Sequence, residues 1–292
     1  MSEKMHSQEL GLVLAQQLLQ VEDLHYGLWR KELDLNLANV PQAQQEYTDM
    51  ILSDLPPTPA GSPVRVIDIG CGTGHILAQM VDKGYQVDGV IPAPHLANKV
   101  RERIAARPGC KSQVYENTLE DLPESVCNGQ YDVALFSESY QYIPLDQSFN
   151  KLKQLLKPGG LVIICDFFAT EHTGDGKQGD GSFGGGHAMK YFYEVVEREP
   201  FTLEKDIDIT ELVSPNLQLV NNLLMDKLGP AGQSIGRYMK DNYPKISWIA
   251  AKLARKKFER MRYKYFSGLR SKEVFERYKT YHHINLRFSN PN

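Results

Sequence analysis

The sequence predicts an α/β fold: a doubly wound sheet of seven strands, preceded by a helical lid and interrupted by a helical cap before its closing strand. Three observations predict it. From Val64 onward, short apolar runs alternate with amphipathic ones at the spacing of strand–helix units. A glycine turn, Gly70-Cys71-Gly72-Thr73-Gly74, joins the first apolar run to the first amphipathic one. A basic stretch rich in aromatics then separates this series from an alternating run at the end of the chain.

Taken in order, residues 7–21 read as an amphipathic helix, with Leu10, Val13, Leu14, Leu18 and Val21 at helical spacing. HYGLW (25–29) follows, then a helix from about Pro41 to Leu55 that ends at the breaker cluster LPPTPAGSP. VRVIDIG is a short apolar run suited to a strand buried on both faces. HILAQMVDKG is a helix closed by Gly84, YQVDGVI the second strand, HLANKVRERIAA the next helix and KSQVYEN the third strand. YDVALFSES and GLVIICDFF are two further buried runs, separated by a helix ending in LLKPGG. ATEHTGDGKQGDGSFGGGH is a glycine-rich loop of the kind that moves over a site. A helix (AMKYFYEVVERE) and an alternating strand (FTLEKDIDIT) come next, then helical sequence over 214–266 divided near Asn242-Tyr243-Pro244, and the closing strand YHHINLRF. The expected organisation is a lid over 1–60, a cofactor-binding core over 61–213, a cap over 214–280 and a return to the core over 281–292.

Composition is that of an ordinary globular chain, 41% hydrophobic and 24% charged over 292 residues. No run approaches the roughly 18 apolar residues of a membrane span, and the N-terminal stretch mixes acids into its apolar positions, unlike a signal peptide. Cys71, Cys110, Cys127 and Cys165 stand far apart, which suggests neither a disulfide frame nor a zinc site and makes the reducing cytoplasm the expected location. The net charge of −3 hides an asymmetry: from Arg237 to Arg287 about 15 Lys/Arg face about 4 Asp/Glu. Such a stretch is either a solvated helical face or a surface for anionic lipid or an anionic substrate.

The glycine turn decides the cofactor class. A dinucleotide fingerprint needs GxGxxG, whereas here His75 stands where the third glycine belongs and the spacing is Gly70, Gly72, Gly74. With the strand ahead of it and the helix behind, VIDIGCGTG resembles the signature of the class I S-adenosylmethionine-dependent methyltransferases, and LLKPGGLVII is a second mark of that family. The similarity runs over roughly residues 25–170 and implies a Rossmann-like core with S-adenosylmethionine as cofactor. It places Gly70, Cys71, Gly72 and Gly74 against the methionine part, where backbone without side chains can approach, and gives Asp68 the turn or the amino group to fix. HYGLW is similar to the segment preceding the core in sterol, tocopherol, cyclopropane-fatty-acid and prenyl-diphosphate methyltransferases, which implies that Tyr26 and Trp29 close over the cofactor. Two positions depart from the pattern. Ile91 stands where the family carries a ribose-binding acid, a charged hydrogen bond worth about 1.5–3 kcal/mol, and Thr118, beside Leu119 in the adenine-side segment, stands where an acid is common.

After the fourth strand the tip reads Ser137-Glu138-Ser139-Tyr140-Gln141-Tyr142-Ile143-Pro144, without the Asn/Asp-Pro-Pro-aromatic motif of base-amine methyltransferases. Ser137 and Glu138 are cofactor-side candidates. Glu138 can also bind the acceptor or take its proton, and Tyr140 and Tyr142 can wall a pocket for a sulfonium or carbocation, the alternative being that Tyr142 and Ile143 pack as helix core. Methyl transfer needs mainly proximity and alignment, so a base enters only where the acceptor loses a proton. His187 can swing in on the glycines of FGGGH; with Tyr26, Glu138 and Tyr140 it completes the catalytic candidates, His172 being weaker. His282 and His283 adjoin in a strand, face opposite sides and form no metal pair. The interleaved aromatic and basic residues Tyr238, Tyr243, Trp248, Phe258, Tyr263, Tyr265 and Phe266 suit a cap over a small lipophilic or anionic acceptor better than nucleic acid, since the chain as a whole is acidic. Charge reversal at Lys256 and Lys257 is expected to weaken acceptor or membrane binding. The expected function is methyl transfer to a small molecule, with the acceptor atom open. The alternatives are methylation coupled to cyclisation of a lipid or isoprenoid, or a non-enzymatic binding or regulatory protein on this fold. The sequence leaves the oligomeric state open.

Overall fold

The computed structural model describes residues 21–289 except 24, 60, 246, 247, 249–258 and 260–266. The helix expected over 7–21, most of the second cap helix, Lys256, Lys257, Phe258, Tyr263, Tyr265 and Phe266 lie outside the described residues, Val21 apart. One mixed sheet organises the rest, with strand order β3-β2-β1-β4-β5-β7-β6.

In chain order, α1 (Val40–Leu52) precedes β1 (Arg65–Ile69), α2 (His75–Asp82), β2 (Gln86–Val90), α3 (Pro94–Ala105) and β3 (Val114–Tyr115). β4 (Tyr131–Ser137), α4 (Leu145–Leu155) and β5 (Leu156–Ala169) follow, then α5 (Met189–Val196) and β6 (Phe201–Asp208). The insertion holds α6 (Thr210–Val213), α7 (Pro215–Asn222), a π-helical turn over Leu223–Leu228 and α8 (Gly229–Asn242), and α9 (Lys272–Tyr278) leads into β7 (Lys279–Phe288). β1 pairs in parallel with β2 on one side and β4 on the other, so the chain reverses its winding direction between them and leaves a crevice at their C-terminal ends. β7 inserts antiparallel between β5 and β6.

Burial on both faces explains the near-continuous apolar strands. Val66 and Val133 face one core with Tyr47 and Ile51 of α1 and Leu77 and Met80 of α2. Ile67 and Ala134 face the other, with Phe149 and Leu152 of α4 and Phe192 of α5. Pro41 stands in the first turn of α1, where its missing N–H costs nothing.

Three boundaries differ from the sequence expectation. Pairing in β3 is confined to two residues because the strand is an edge and the Asp88 carboxylate accepts the Gln113 N–H at 2.8 Å beside it. β5 begins at Leu156, since KPGG runs extended beside β4 with a register irregularity at Tyr131/Val133. β7 begins at Lys279, so Lys279 and Thr280 belong to the sheet and not to the cap.

The two adjacent histidines of β7 do face opposite ways. His282 Nδ1 lies 2.6 Å from the Asp206 carboxylate, and His283, fully buried, lies 2.9 Å from that of Asp54. Burial, together with the charge of Lys205, pushes the His283 pKa down to about 4 against the opposing pull of Asp54. The unfolded chain therefore takes up a proton between about pH 6.5 and 4 that the folded chain refuses, and stability falls as pH drops through that window by of order 2–3 kcal/mol. Urea unfolding at pH 7 and pH 5 is expected to show this loss, and His283→Gln is expected to flatten it.

Candidate active site

The site grows from the two turns that leave β1 and β4. Gly70, Gly72 and Gly74 all have φ between +55° and +78°, a region closed to most side chains. The turn is pinned to β2, with Gly70 N and Cys71 N donating to Val90 O at 2.8 and 3.2 Å. Each glycine has a different neighbour. A Cβ on Gly70 would lie 2.3 Å from Ser139 Cβ, and one on Gly74 would lie 3.0 Å from Val100 of α3. A Cβ on Gly72 would meet nothing within 4 Å, because it would project into open space.

That space is a cavity of about 960 Å³ with two chemically distinct ends. One end carries Asp68, the glycine turn, Ile91, Thr118, Leu119 and Glu120. The other carries Tyr26, Phe167, Phe183 and Phe275, with Gln141, Tyr142 and Arg270. Glu138 lines it too, bonded to the Tyr26 N–H.

Asp68 is the penultimate residue of β1, at 2% exposure. Burial pushes its carboxyl up to about 7 with no opposing cause, and it makes no hydrogen bond or ion pair among the described residues. A buried carboxyl without an internal donor is a ready acceptor for a ligand N–H or cation.

Glu138 follows β4 at φ 54°, the one positive φ among the described non-glycine residues. Its Oε1 accepts from Tyr26 N at 2.6 Å and from Tyr281 Oη at 3.0 Å. Burial raises its pKa, while the charge of His25, the Tyr26 N–H and the Tyr281 hydroxyl oppose the rise. Tyr281 Oη lies 2.9 Å from Tyr47 Oη, which in turn reaches Ser137 Oγ at 3.3 Å. On the next strand Asp166 accepts from the Gln141 N–H, the Gln141 side-chain amide and the Phe167 N–H at 2.8–3.1 Å. Burial nevertheless pushes its carboxyl up to about 8, and the charge of Glu138 adds to the rise. Asp166 thus fixes Gln141 against the cavity.

The structure brings Tyr26, Asp68, Gly70, Cys71, Gly72, Ile91, Thr118, Leu119, Ser137 and Glu138 to this one cavity. Four sequence candidates lie elsewhere. Trp29 packs at 5% exposure with Val40, Ala43 and Leu219, because the segment turns inward after Tyr26. Gly74 faces Val100. Tyr140 is fully buried between Phe136 and Phe192, with its hydroxyl 3.0 Å from Ser148 Oγ. His187 does not swing inward: its Nε2 lies 3.1 Å from Tyr140 O, and its own carbonyl accepts from Ala169 N at 2.8 Å. Tyr142, by contrast, is 76% exposed and not helix core. Sequence reasoning missed Asp23, His25, Gln141, Phe167, Phe183, Arg270 and Phe275 as lining residues. His25 and Phe183 lay inside the motifs HYGLW and SFGGGH; for Arg270 and Phe275 no local signal existed.

Residues 67–162 match the family model described as a methyltransferase domain. Over 120 residues the chain is 32% identical to a sterol 4-C-methyltransferase of Caenorhabditis elegans, covering 39% of this chain and 35% of that protein. The chain spans about a third of the length of such curated relatives. Geranyl diphosphate C-methyltransferase from Streptomyces coelicolor A3(2), solved with Mg²⁺, geranyl diphosphate and S-adenosyl-L-homocysteine, superposes with a TM-score of 0.65 at 14% identity, covering 94% of this chain and 92% of that one. The [4+2]-cyclase SpnF superposes with a TM-score of 0.64 at 16% identity over 98% of each chain. Residues 67–162 are thus a methyltransferase domain, on a fold shared with solved S-adenosylmethionine-dependent enzymes. Its cofactor is S-adenosylmethionine.

The methyltransferase cavity suits that cofactor on its own terms. The open space over Gly72 admits a ligand against bare backbone, and the unpartnered Asp68 carboxyl suits an ammonium. The ribose end is unusual. Ile91 lines it, and Asp88 is turned away into a buried cluster with Tyr131 Oη at 2.8 Å and Arg65 at 3.4 Å. Asn117, Thr118 and Glu120 are polar side chains lining that end. Gly72→Ala is expected to weaken S-adenosylhomocysteine binding roughly tenfold, equivalent to about 1.4 kcal/mol, as measured by calorimetry. Since Asp68 ionises only near pH 7, affinity for an ammonium ligand should rise from pH 6 to pH 8. Asp68→Asn should both weaken binding and remove the rise.

Proposed function

We propose that this methyltransferase methylates a small lipophilic or anionic acceptor seated on Tyr26, Phe167, Phe183 and Phe275, with Glu138 as the base where the acceptor loses a proton. The observation that carries this reading is a cavity that joins the glycine turn and Asp68 to an aromatic lobe, with Glu138 on its wall beside Tyr26. Bound S-adenosylmethionine supplies an activated methyl group for displacement at carbon. Asp68 would hold the ammonium and the Gly70–Gly72 backbone the methionine part. The aromatic rings would exclude water and hold the acceptor in line, and their faces would favour positive charge developing on it. Glu138 Oε1 is taken up by two donors, which leaves Oε2 for the acceptor's proton.

The names of the relatives support an acceptor of this class, one being a sterol methyltransferase and another acting on geranyl diphosphate. The test is mass spectrometry of S-adenosylhomocysteine and methylated product across sterol, isoprenoid diphosphate and acyl panels. Glu138→Gln is expected to lower kcat by about 10²–10⁴ for an acceptor that loses a proton, with cofactor affinity nearly unchanged. A second reading, ring closure of a polyene in the same aromatic lobe, draws support from the cyclase-like fold. It predicts product formation without consumption of cofactor.

The insertion also supports a membrane contact. No described helix is long and apolar enough to cross a bilayer. Helix α8 buries no residue and leaves Ile235 at 65% and Tyr238 at 59% exposure beside exposed Arg237 and Lys240; Trp248 beyond it is 65% exposed. Apolar and aromatic groups among cations fit the interface of an anionic bilayer, and the returning chain reaches the cavity wall at Arg270. Of the two tryptophans Trp29 is buried, so emission reports on Trp248. A blue shift is expected with vesicles containing phosphatidylserine but not with phosphatidylcholine alone, fading with salt as exposed charges are screened. Identical spectra with both vesicles would remove the membrane reading.

A further inference from the structure

Residues 22–27, described except for 24, cross the glycine turn as a strap fastened at both ends. At the turn end, Asp23 Oδ2 lies 2.6 Å from His75 Nδ1. Thr73 Oγ1 donates to Glu22 O at 3.0 Å, and Arg103 Nη2 reaches the Glu22 carboxylate at 2.8 Å. Gln44 Nε2 donates to His25 O at 2.7 Å. At the far end, Gly27 N donates to Asn216 Oδ1 at 3.0 Å, and Asn216 Nδ2 returns a bond to Gly27 O at 2.6 Å. Gly27 is pressed so closely on α1 that a Cβ would meet Ala43 Cβ at 2.6 Å.

Between these fastenings the strap meets Glu138. Tyr26 N donates to Glu138 Oε1, and His25 stacks on Tyr47 with ring centroids 4.4 Å apart. His25 Nδ1 donates to Tyr26 O at 2.8 Å, which leaves Nε2 3.5 Å from Asp23 Oδ2. We propose that this strap arms Glu138: closing it over the cofactor end delivers the Tyr26 N–H and the His25 charge to that carboxylate, with Asp23 and His75 as the positioning residues that latch it. The inference rests on the reading of Glu138 as the base.

The surroundings of Glu138 explain why the strap matters. Asp166 faces it from β5 and Tyr281 from β7. The phenols of Tyr26, Tyr47 and Tyr142 and the Cys165 thiol complete the titratable groups that feel its charge. Burial drives all of these toward their neutral forms, so none of them supplies Glu138 with a cation. His25 does. Burial alone would strip its proton, but the hydrogen bond and charge of Asp23, with the charge of Glu138, hold its pKa above the ordinary imidazole value. Asp23 is likewise opposed by burial yet held below the usual carboxylate range by hydrogen bonds from His25 and His75. Opening the latch removes two of the three influences that oppose the rise in the Glu138 pKa, the third being the Tyr281 hydroxyl.

The test is an infrared difference titration of the full chain with S-adenosylhomocysteine bound, following the carboxylic-acid band that disappears in Glu138→Gln. In Asp23→Asn and His75→Gln the midpoint of that band is expected to move to higher pH. Hydrogen exchange over 22–27 should quicken, and S-adenosylhomocysteine should dissociate roughly tenfold faster, the scale of one lost charge-assisted hydrogen bond. His75 is partly exposed, so His75→Gln carries the test should Asp23→Asn fail to fold, which thermal melting decides. An unchanged midpoint in a folded variant whose strap exchanges faster overturns the proposal. A shifted midpoint in a protein that methylates no acceptor upholds the strap and removes the acceptor reading instead.

Discussion

The rest of the site depends on one close approach, that of Gly70 to Ser139. The chain leaves β1 and β4 side by side, and the Ser139 hydroxyl donates to Ile69 O at the point where they touch. A single methyl on Gly70 would sit 2.3 Å from Ser139 Cβ, so the contact exists only because that position lacks a side chain. Pressed together there, the turns diverge beyond it. The glycine turn heads into α2 and the Glu138 turn toward α4, and the crevice between them is the cavity. The same contact explains the left-handed backbone of Glu138, a conformation that costs of order 1 kcal/mol or more outside glycine. Glu138 N donates to Cys165 O at 2.9 Å, so neighbouring β5 holds the strained residue in place.

Around that crevice stand three carboxyls, Asp68 near the end of β1, Glu138 just after β4 and Asp166 level with it on β5, and burial raises the pKa of each. What differs is the source of donors. Asp166 is served from within, by two backbone N–H groups and the amide of Gln141, and therefore acts as scaffold. Glu138 is served partly by the sheet, through Tyr281, and partly by the strap, through Tyr26. Asp68 is served by nothing in the described protein. Ordered in this way, the three read as a structural group, a switchable one and one reserved for a ligand. Supply of donors separates them, since all three occupy similar positions on the sheet.

The sheet and the glycine turn were legible because their signals are local. A parallel strand buried on both faces must read as a continuous apolar run, and a backbone that approaches a ligand must carry glycine. Ile91 was legible for the same reason, since strand periodicity fixes which residue follows β2 at the cavity. The acceptor end was not. Phe167, Phe183, Arg270 and Phe275 come from the end of β5, a loop, the return of the insertion and α9, and only tertiary structure unites them. Tyr140 and His187 show the converse error. Each is close in sequence to a lining residue, yet the turn after Glu138 points Tyr140 into the core, and His187 is spent on the Tyr140 carbonyl. Trp29 illustrates how far a motif extends: HYGLW places Tyr26 on the cavity, but three residues later the segment already packs against Leu219.

The departure at Ile91 bears on how the two ends of the cofactor site share the work. An acid at that position would give the ribose a charged hydrogen bond of about 1.5–3 kcal/mol, held whether or not the strap is closed. Without it, the fixed contacts of the site concentrate at the methionine end, where the glycine turn, Asp68 and the strap meet through Thr73 and Glu22. A cofactor held mainly there is held mainly by the element that also carries Tyr26 and His25 to Glu138. Weak anchorage at the ribose and dependence on the strap are then two sides of one arrangement. A ligand that grips chiefly through the covered end gains its affinity on closure, so binding free energy goes into the conformation in which the strap reaches Glu138. Restoring an acid at Ile91 would tighten the cofactor without closing the strap, and so loosen the link between holding the cofactor and arming the base.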